Sequence, residues 1–167
     1  PPLNQSLPEY YGFTPEQTAK AVAVFREHFV EKGWLENAPY PGVAELLREL
    51  KEAGLQLMVA TSKPEVQALR VLEHFELAGY FEHICGAPPG NEDGARKADV
   101  VHRALGYAED ASSVVMVGDR RHDVEGAREN GIPCIGVLYG YGSREELAVA
   151  GASFIAEDLV GLKKLLL

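Results

Sequence analysis

The sequence has 167 residues, of which 46% are apolar and 25% charged, and its formal net charge is −9. These values are typical of a globular domain, so we expect one domain with a small appendage. The 16 Lys and Arg residues are scattered rather than gathered in a stripe, which argues against a nucleic-acid or anionic membrane surface. We therefore expect a small-molecule partner.

The sequence gives no sign of a membrane span, a signal peptide or a cysteine-based site. No run approaches the roughly 18 consecutive apolar residues of a membrane helix, and the first residues lack a charged-then-apolar order. A cytoplasmic location is the default expectation. Cys85 and Cys134 lie in apolar surroundings without CxxC spacing, which predicts small core residues rather than a zinc or redox pair.

The first 38 residues differ in pattern from the rest. Thr14 to Gln17 reads as a capping box with Pro15 at the first helical position, and Val22, Phe25 and Phe29 recur at spacings of three and four. This pattern predicts an amphipathic helix over 15–32.

From Pro41 onward, helical periodicity alternates with short apolar runs. The predicted strands are 55–60, 81–87, 113–118, 132–138 and 153–156. Links of two to six residues between helices and strands predict an α/β fold, a parallel sheet with helices on both faces. In such sheets the chemistry gathers at the carboxyl ends of the strands.

Hydroxyl groups follow the first predicted strand. Thr61, Ser62 and Lys63 come where this strand should end, before a helix whose first turn presents free backbone N–H groups. Hydroxyls beside a helix N-terminus would form an anion site. The alternative is that Thr61 or Ser62 merely caps the helix before Pro64.

Two carboxylates follow the clearest strand, in "MVGDRRHD". Asp119 should project into the carboxyl-end crevice, where its oxygens suit a hard cation such as Mg²⁺, and Asp123 could reach the same cation directly or through water. The alternatives are that Asp123 caps a helix and pairs with Arg120 or Arg121, and that Asp119 is a turn residue.

Lys97 opens another predicted helix after a long polar loop, so its ammonium could hold a phosphoryl oxygen, although a solvated surface lysine is the commoner outcome. The five histidines show no spacing of a metal cluster or triad. No GxSxG elbow, Walker loop or GxGxxG opener follows any strand.

Taken in order, "ATSKP", "RKADVV" and "MVGDRRHD" resemble the haloacid dehalogenase-like hydrolases. The resemblance is closer to the phosphoglycolate phosphatase-like and 5′-nucleotidase-like branch, whose pattern is also seen in "PYPGV" and "IGVLYGYGSREEL". It implies a Rossmann-like core over 39–167 and a partial helical cap over 1–38.

The resemblance also implies a chemistry. Enzymes of this family hydrolyse phosphate monoesters through an aspartyl-phosphate, with Mg²⁺ offsetting the charge. By position, Thr61, Lys97 and Asp119 would be catalytic residues. Thr61, Ser62 and Lys97 would bind the phosphate, and Asp119 and Asp123 would bind the metal. The implied substrates are small phosphorylated metabolites, phosphoglycolate or nucleoside 5′-monophosphates.

One family motif is absent, because the sequence contains no Asp-x-Asp. That motif follows a first strand that, in this family, lies between the strands predicted at 55–60 and 113–117. We expect some fifty family residues to be missing before Pro1, this chain alone to be inactive, and the fold not to persist unchanged as a monomer. The two orphaned strands would re-pair, or the chain would self-associate through their edges.

Two alternatives stay open at this stage. One is a non-catalytic phosphate- or metal-binding domain, or an inactive fragment, that keeps the phosphate site without the nucleophile. The other is a phosphosugar mutase on the same scaffold, which would also need the absent motif.

Overall fold

The computed structural model describes residues 3–90 and 95–167. The helices are α1 (Leu3–Tyr11), α2 (Pro15–Glu31), α3 (Val43–Glu52), α4 (Glu65–His74), α5 (Lys97–Leu105), α6 (Arg121–Glu129), α7 (Arg144–Ala150) and α8 (Leu159–Leu166). The strands are β1 (Met58–Pro64), β2 (His83–Ala87), β3 (Met116–Gly118), β4 (Cys134–Val137) and β5 (Phe154–Ala156). Within these ranges no helix is both long and apolar enough to span a bilayer. The long polar loop predicted before Lys97, residues 88–96, lies partly outside the described residues.

The N-terminal segment contains one helix more than the sequence predicted. The predicted helix over 15–32 is α2, and its capping box is present, since the Thr14 hydroxyl accepts from the Gln17 N–H and the Gln17 side chain accepts from the Thr14 N–H. Helix α1, which packs against α2, was not predicted. Pro8 lies inside α1 and cannot donate a helical hydrogen bond, so the segment lacks an ordinary helical signature.

All five predicted strands are present and every pairing is parallel, but the sheet is divided. Strand β1 pairs with β2, while β3, β4 and β5 form a separate sheet in that order. The α/β fold class is confirmed. The expected re-pairing of the two orphaned strands is wrong, because β1 and β3 do not pair with each other.

The free edges of β1 and β3 can be assigned from the hydrogen bonds of their other edges. The Leu57 carbonyl accepts from Glu82 N–H on the β2 side, and the Met116 N–H donates to the Pro133 carbonyl on the β4 side. Backbone groups alternate in direction along a strand, so Ala60 and Val117 direct theirs away from the paired neighbour. We call these two unpaired sides of β1 and β3 the open edges.

Helices cover both faces of the larger sheet. Ile135 and Val137 of β4 pack with Leu46, Leu50 and Leu162 of α3 and α8. Cys134, which points to the opposite face, packs with residues of α6 and α7. Cys134 and Cys85 are each only 2% exposed, which confirms their prediction as core residues.

The burial of the strands follows the division of the sheet. Every residue of β4 is buried, whereas every residue of β1 and of β3 is only half-buried. Because β1 and β3 each have a neighbouring strand on one side only, their backbones stay accessible along the open edges. The carboxyl ends of these same two strands carry Thr61 and Asp119.

Candidate active site at the ends of β1 and β3

Lys97 joins the ends of the two sheets. It is the first residue of α5, as predicted, and its side chain is 15% exposed. The Lys97 Nζ donates to the carbonyl of Ala60 at 2.8 Å and lies 2.8 Å from the Asp123 Oδ1. The expected alternative, a solvated surface lysine, is therefore wrong. The ammonium thus contacts Ala60, the residue before Thr61, on one side and Asp123, after the β3–α6 turn, on the other.

Asp123 organises the turn between β3 and α6. It lies in the first turn of α6, and its Oδ2 accepts from the N–H groups of Asp119 at 3.1 Å and Arg120 at 3.0 Å. With Lys97 on Oδ1, both carboxylate oxygens are engaged. The alternative that Asp123 is the N-cap of this helix is wrong, because the N-cap is Arg120 and Asp123 accepts its N–H from three residues further along; the cationic partner of Asp123 is Lys97 rather than Arg120 or Arg121.

Gly118 makes this arrangement possible because a side chain there would collide with Asp123. A Cβ on Gly118 would lie 2.2 Å from the Asp123 Cβ, far inside contact distance. The glycine at the end of β3 therefore allows the Asp123 side chain to fold back over the strand end.

Asp119 lies against the glycine-rich loop at 139–143. Its Oδ2 accepts from the Tyr141 N–H at 2.7 Å, and a Cβ on Gly140 would lie 2.2 Å from the Asp119 Cβ. Its Oδ1 has no hydrogen-bond partner within the described ranges. The glycines of "YGYGS" had no predicted role, and the structure shows that they allow the loop to approach Asp119.

Thr61 and Ser62 lie within the irregular end of β1, not beyond it as predicted. The Thr61 Oγ1 accepts from the Lys63 N–H at 3.2 Å, and the pairing register of β1 shifts between Ala60 and Pro64. Neither hydroxyl caps α4, whose N-cap is Pro64 and has no side-chain cap. The capping alternative for Thr61 and Ser62 is therefore wrong.

A cavity of about 110 Å³ adjoins this region. It is lined by Ser62 and Lys97 from the core and by Gln5 from α1, together with His122. The His122 Nε2 is buried and has no hydrogen-bond partner among the described residues, and burial lowers the pKa of this imidazole. The spacing of the histidines gave no reason to single out His122, whose one signal in the sequence is its place next to Asp123.

The two arginines of the β3–α6 turn hold other carboxylates. The Arg120 Nε donates to Glu146 of α7 at 2.8 Å, and the Arg121 backbone N–H donates to the same carboxylate at 2.9 Å. The Arg121 guanidinium reaches α1, where it pairs with Glu9. These contacts fix the turn to α7 and connect it to the N-terminal segment.

The described residues offer a partial set of ligands for Mg²⁺. No group of three or more His, Cys, Asp and Glu side chains with metal-binding geometry occurs in residues 3–90 and 95–167. Mg²⁺, however, is commonly held by one or two carboxylates with water and substrate phosphate. The free Oδ1 of Asp119 fits such a ligand, while Asp123, already engaged at both oxygens, fits a supporting role.

Direct contacts thus link three of the predicted residues, Lys97, Asp123 and Asp119, while Thr61 follows the residue that Lys97 contacts and Ser62 lines the same cavity as Lys97. Lys97 contacts Asp123 and the residue preceding Thr61, and Asp123 contacts the backbone of Asp119. The roles of these residues in phosphate and metal binding stay predictions.

Comparison with known proteins gives similarity over almost the whole chain. The family model described as "Haloacid dehalogenase-like hydrolase" matches residues 2–137. A 5′-nucleotidase of Pseudomonas aeruginosa is 39% identical, over 99% of this chain and 75% of its own length. A crystal structure titled "predicted phosphatase" from Clostridium acetobutylicum has a TM-score of 0.91 and 44% identity, covering 98% of this chain and 76% of that one.

Two further relatives carry different names. The tyrosine-protein kinase PtkA of Mycobacterium tuberculosis is 40% identical over 85% of this chain and 48% of its own length. A phosphoglycolate phosphatase of Caulobacter vibrioides is 34% identical over 89% of this chain and 62% of its own length. The chain therefore spans between about half and three quarters of these relatives. By the extent of the family match, the chain belongs to the haloacid dehalogenase-like hydrolase family.

Proposed function

We propose that this chain forms the phosphate-binding part of a Mg²⁺-dependent phosphatase that acts on small phosphate monoesters. The observation that carries the proposal is the position of the Lys97 ammonium, which contacts the Ala60 carbonyl of β1 on one side and the Asp123 carboxylate, in the first turn after β3, on the other. A cation fixed at the meeting point of strand ends is suited to hold an anionic group there.

Lys97 keeps capacity for a ligand. An ammonium has three N–H donors, and within the described residues two are used by Ala60 and Asp123. The third would donate to a phosphoryl oxygen. The hydroxyls of Thr61 and Ser62, on the adjacent end of β1, would donate to the other oxygens of the same group.

Asp119 would hold the metal. Its Oδ1 is the carboxylate oxygen left open, while the Tyr141 N–H and the Asp123 carboxylate fix its side chain and backbone. When bound, Mg²⁺ would offset the negative charge of the phosphoryl group during transfer.

For the reaction itself we propose the aspartyl-phosphate route implied by the family. The 167 residues contain no Asp-x-Asp pair to supply the nucleophile and the acid–base group. We therefore expect this chain by itself to bind phosphate without hydrolysing esters, which is the behaviour of the alternative, a non-catalytic phosphate-binding domain.

The names of the relatives support small phosphate esters as substrates. Two of them are named 5′-nucleotidase and phosphoglycolate phosphatase, so nucleoside 5′-monophosphates and phosphoglycolate are the proposed candidates. The relative named as a tyrosine kinase also performs phosphoryl transfer, to a hydroxyl rather than to water. Positioning and charge neutralisation serve both reactions.

We also propose that the open edges allow self-association. Unpaired strand edges are templates for pairing with another chain, and both β1 and β3 have one. A parallel partner strand at either edge would satisfy backbone groups that the structure leaves without a strand neighbour.

The proposal is tested by calorimetric titration of the chain with inorganic phosphate, with and without Mg²⁺. Wild type should bind phosphate more tightly with Mg²⁺, and Lys97→Met should weaken binding at least tenfold, the order expected for a lost charged hydrogen bond. The control is Lys51→Met, at an exposed position of α3.

A parallel assay measures hydrolysis of a generic phosphate ester. We expect no turnover by the 167-residue chain and turnover by the natural gene product if that product contains the Asp-x-Asp segment. Phosphate binding that is absent in wild type, or unaffected by Lys97→Met, would overturn the proposed phosphate site. Hydrolysis by the 167-residue chain would instead contradict its proposed inactivity.

A further inference from the structure

A second lysine lies at the end of β1, between the phosphate site and the N-terminal segment. The backbone N–H of Lys63 donates to the Thr61 hydroxyl, so its position is tied to the proposed phosphate site. Its Nζ lies over the ring of Phe29 of α2, 4.3 Å from the ring centroid. Lys63 therefore connects the core to α2, which belongs to the partial helical cap that the family resemblance implies over 1–38.

The charge environment of Lys63 differs from that of the neighbouring cations. Near the ends of β1 and β3, four cations each hold a carboxylate of the chain: Lys97, Arg103, Arg120 and Arg121. The ammonium of Lys63 has neither an ion pair nor a hydrogen bond with any described residue.

Burial makes this isolation costly. Lys63 is half-buried, and desolvation lowers the pKa of its ammonium. A partly desolvated charge is usually paired with an opposite charge. The ring of Phe29, itself only 8% exposed, presents one face to the Lys63 ammonium. This contact leaves N–H donors of the ammonium free for a ligand.

From this geometry we propose that Lys63 recognises a second anionic group on the substrate, at the end opposite the phosphoryl group. The inference rests on the proposed function, since the phosphoryl group would be held by Thr61, Ser62 and Lys97. The ligand class is a small phosphate monoester with a carboxylate tail. Lys63 is then a specificity residue, placed where the tail of the substrate would meet α2.

The contact with Phe29 suits this role because it holds the ammonium without neutralising it. A ring face attracts a cation but does not compete with a carboxylate for its N–H donors. A substrate carboxylate would approach the same ammonium from a free side while the ring still covers it. The negative charge of a bound substrate would then lie next to Lys63, between α2 and the core.

The test compares two phosphate esters of similar size by calorimetry, phosphoglycolate with its carboxylate and 2-hydroxyethyl phosphate with a neutral tail. Wild type should bind phosphoglycolate about tenfold more tightly, the order of one charge-assisted hydrogen bond. Lys63→Met, which keeps an apolar stem against Phe29, should remove this preference and leave the affinity for 2-hydroxyethyl phosphate unchanged. Lys63→Arg should retain the preference, and Lys51→Met is the control.

The outcomes separate the two proposals. A preference for phosphoglycolate that persists in Lys63→Met, or equal loss of both ligands, would overturn the role of Lys63 alone. If wild type binds neither ester nor inorganic phosphate, the phosphate site itself fails and the inference fails with it. A preference for a ligand with a second phosphate over both esters, lost in Lys63→Met, would keep Lys63 as the anion-recognising residue but overturn the carboxylate assignment.

Discussion

The Lys97 ammonium donates a hydrogen bond to the Ala60 carbonyl on the open edge of β1. The Ala60 carbonyl points away from β2, toward the side of β1 that has no strand neighbour. The Lys97 Nζ donates to this carbonyl at 2.8 Å, in the place where a neighbouring strand would otherwise donate. On its other side the same ammonium holds Asp123, which anchors the turn after β3. One side chain thus joins the two sheets at the place where the phosphate is proposed to bind.

Replacing Lys97 should destabilise the chain as well as weaken phosphate binding. In Lys97→Met the Asp123 carboxylate, 10% exposed, would lose its cationic partner, and breaking a buried pair in this way costs about 3 kcal/mol. Urea denaturation measures the change. The double variant Lys97→Met with Asp123→Asn should recover part of the loss; a loss that is simply additive would show that the two side chains do not interact.

Asp119→Asn should weaken Mg²⁺ binding by about tenfold while leaving the fold intact. The amide oxygen can still accept from the Tyr141 N–H, but the charge that attracts the metal is removed. Mg²⁺ titration in the presence of phosphate measures the effect. Asp158→Asn is a matched control, since Asp158 caps α8 through an oxygen that asparagine retains. Undiminished Mg²⁺ affinity in Asp119→Asn would count against the metal role.

Gly118→Ala should destabilise the chain by about 2 kcal/mol, because the added Cβ would overlap Asp123 at the end of β3. The displaced Asp123 would also release Lys97, so phosphate affinity should fall. The control is Gly79→Ala, where an added Cβ meets no atom within 4 Å and φ is not positive. Equal stability of the two variants in urea would contradict the packing described here.

Hydrogen exchange should reveal self-association through the open edges. The amides of Ala60 and Val117 face the free sides of β1 and β3, so they should exchange rapidly at low protein concentration and become protected as concentration rises. The Met116 amide, bonded to Pro133, is an internal control that should be protected throughout. Exchange of Ala60 and Val117 that does not depend on concentration would argue against association at these edges.

Both cysteines should resist alkylation in the folded chain. Each is 2% exposed, and burial, with a smaller contribution from Asp123, raises the pKa of the Cys134 thiol from 9.0 to about 12. Iodoacetamide at pH 8 should therefore label two thiols only after denaturation. Since the folded pKa is raised, the neutral thiol favours the folded state below pH 9, and this contribution is lost as pH rises toward 12. Rapid labelling of the native chain would contradict the burial.

Much of the local structure is determined by the sequence itself. The apolar runs are strands because they are short, rich in Val and Ile and bounded by turn residues, and the helix over 15–32 begins at Thr14 because its capping box satisfies free N–H groups. The positions of Thr61, Lys97 and Asp119 at strand and helix ends follow from the same patterns. Helix α1 could not be predicted, because Pro8 removes the ordinary helical pattern and the helix is stabilised by packing against α2 rather than by its own sequence signals.

The tertiary structure alone decided how these parts meet. The expected rearrangement of the fold is not seen: the TM-score of 0.91 shows the family arrangement, with β1 and β3 left apart. No sequence pattern could assign Asp123 to Lys97 rather than to the adjacent arginines, because that choice depends on distances between α5 and α6. Nor could it show that the Lys63 ammonium lacks a carboxylate partner among residues 3–90 and 95–167, because the pairing of charges is set by the fold around them and not by their spacing along the chain.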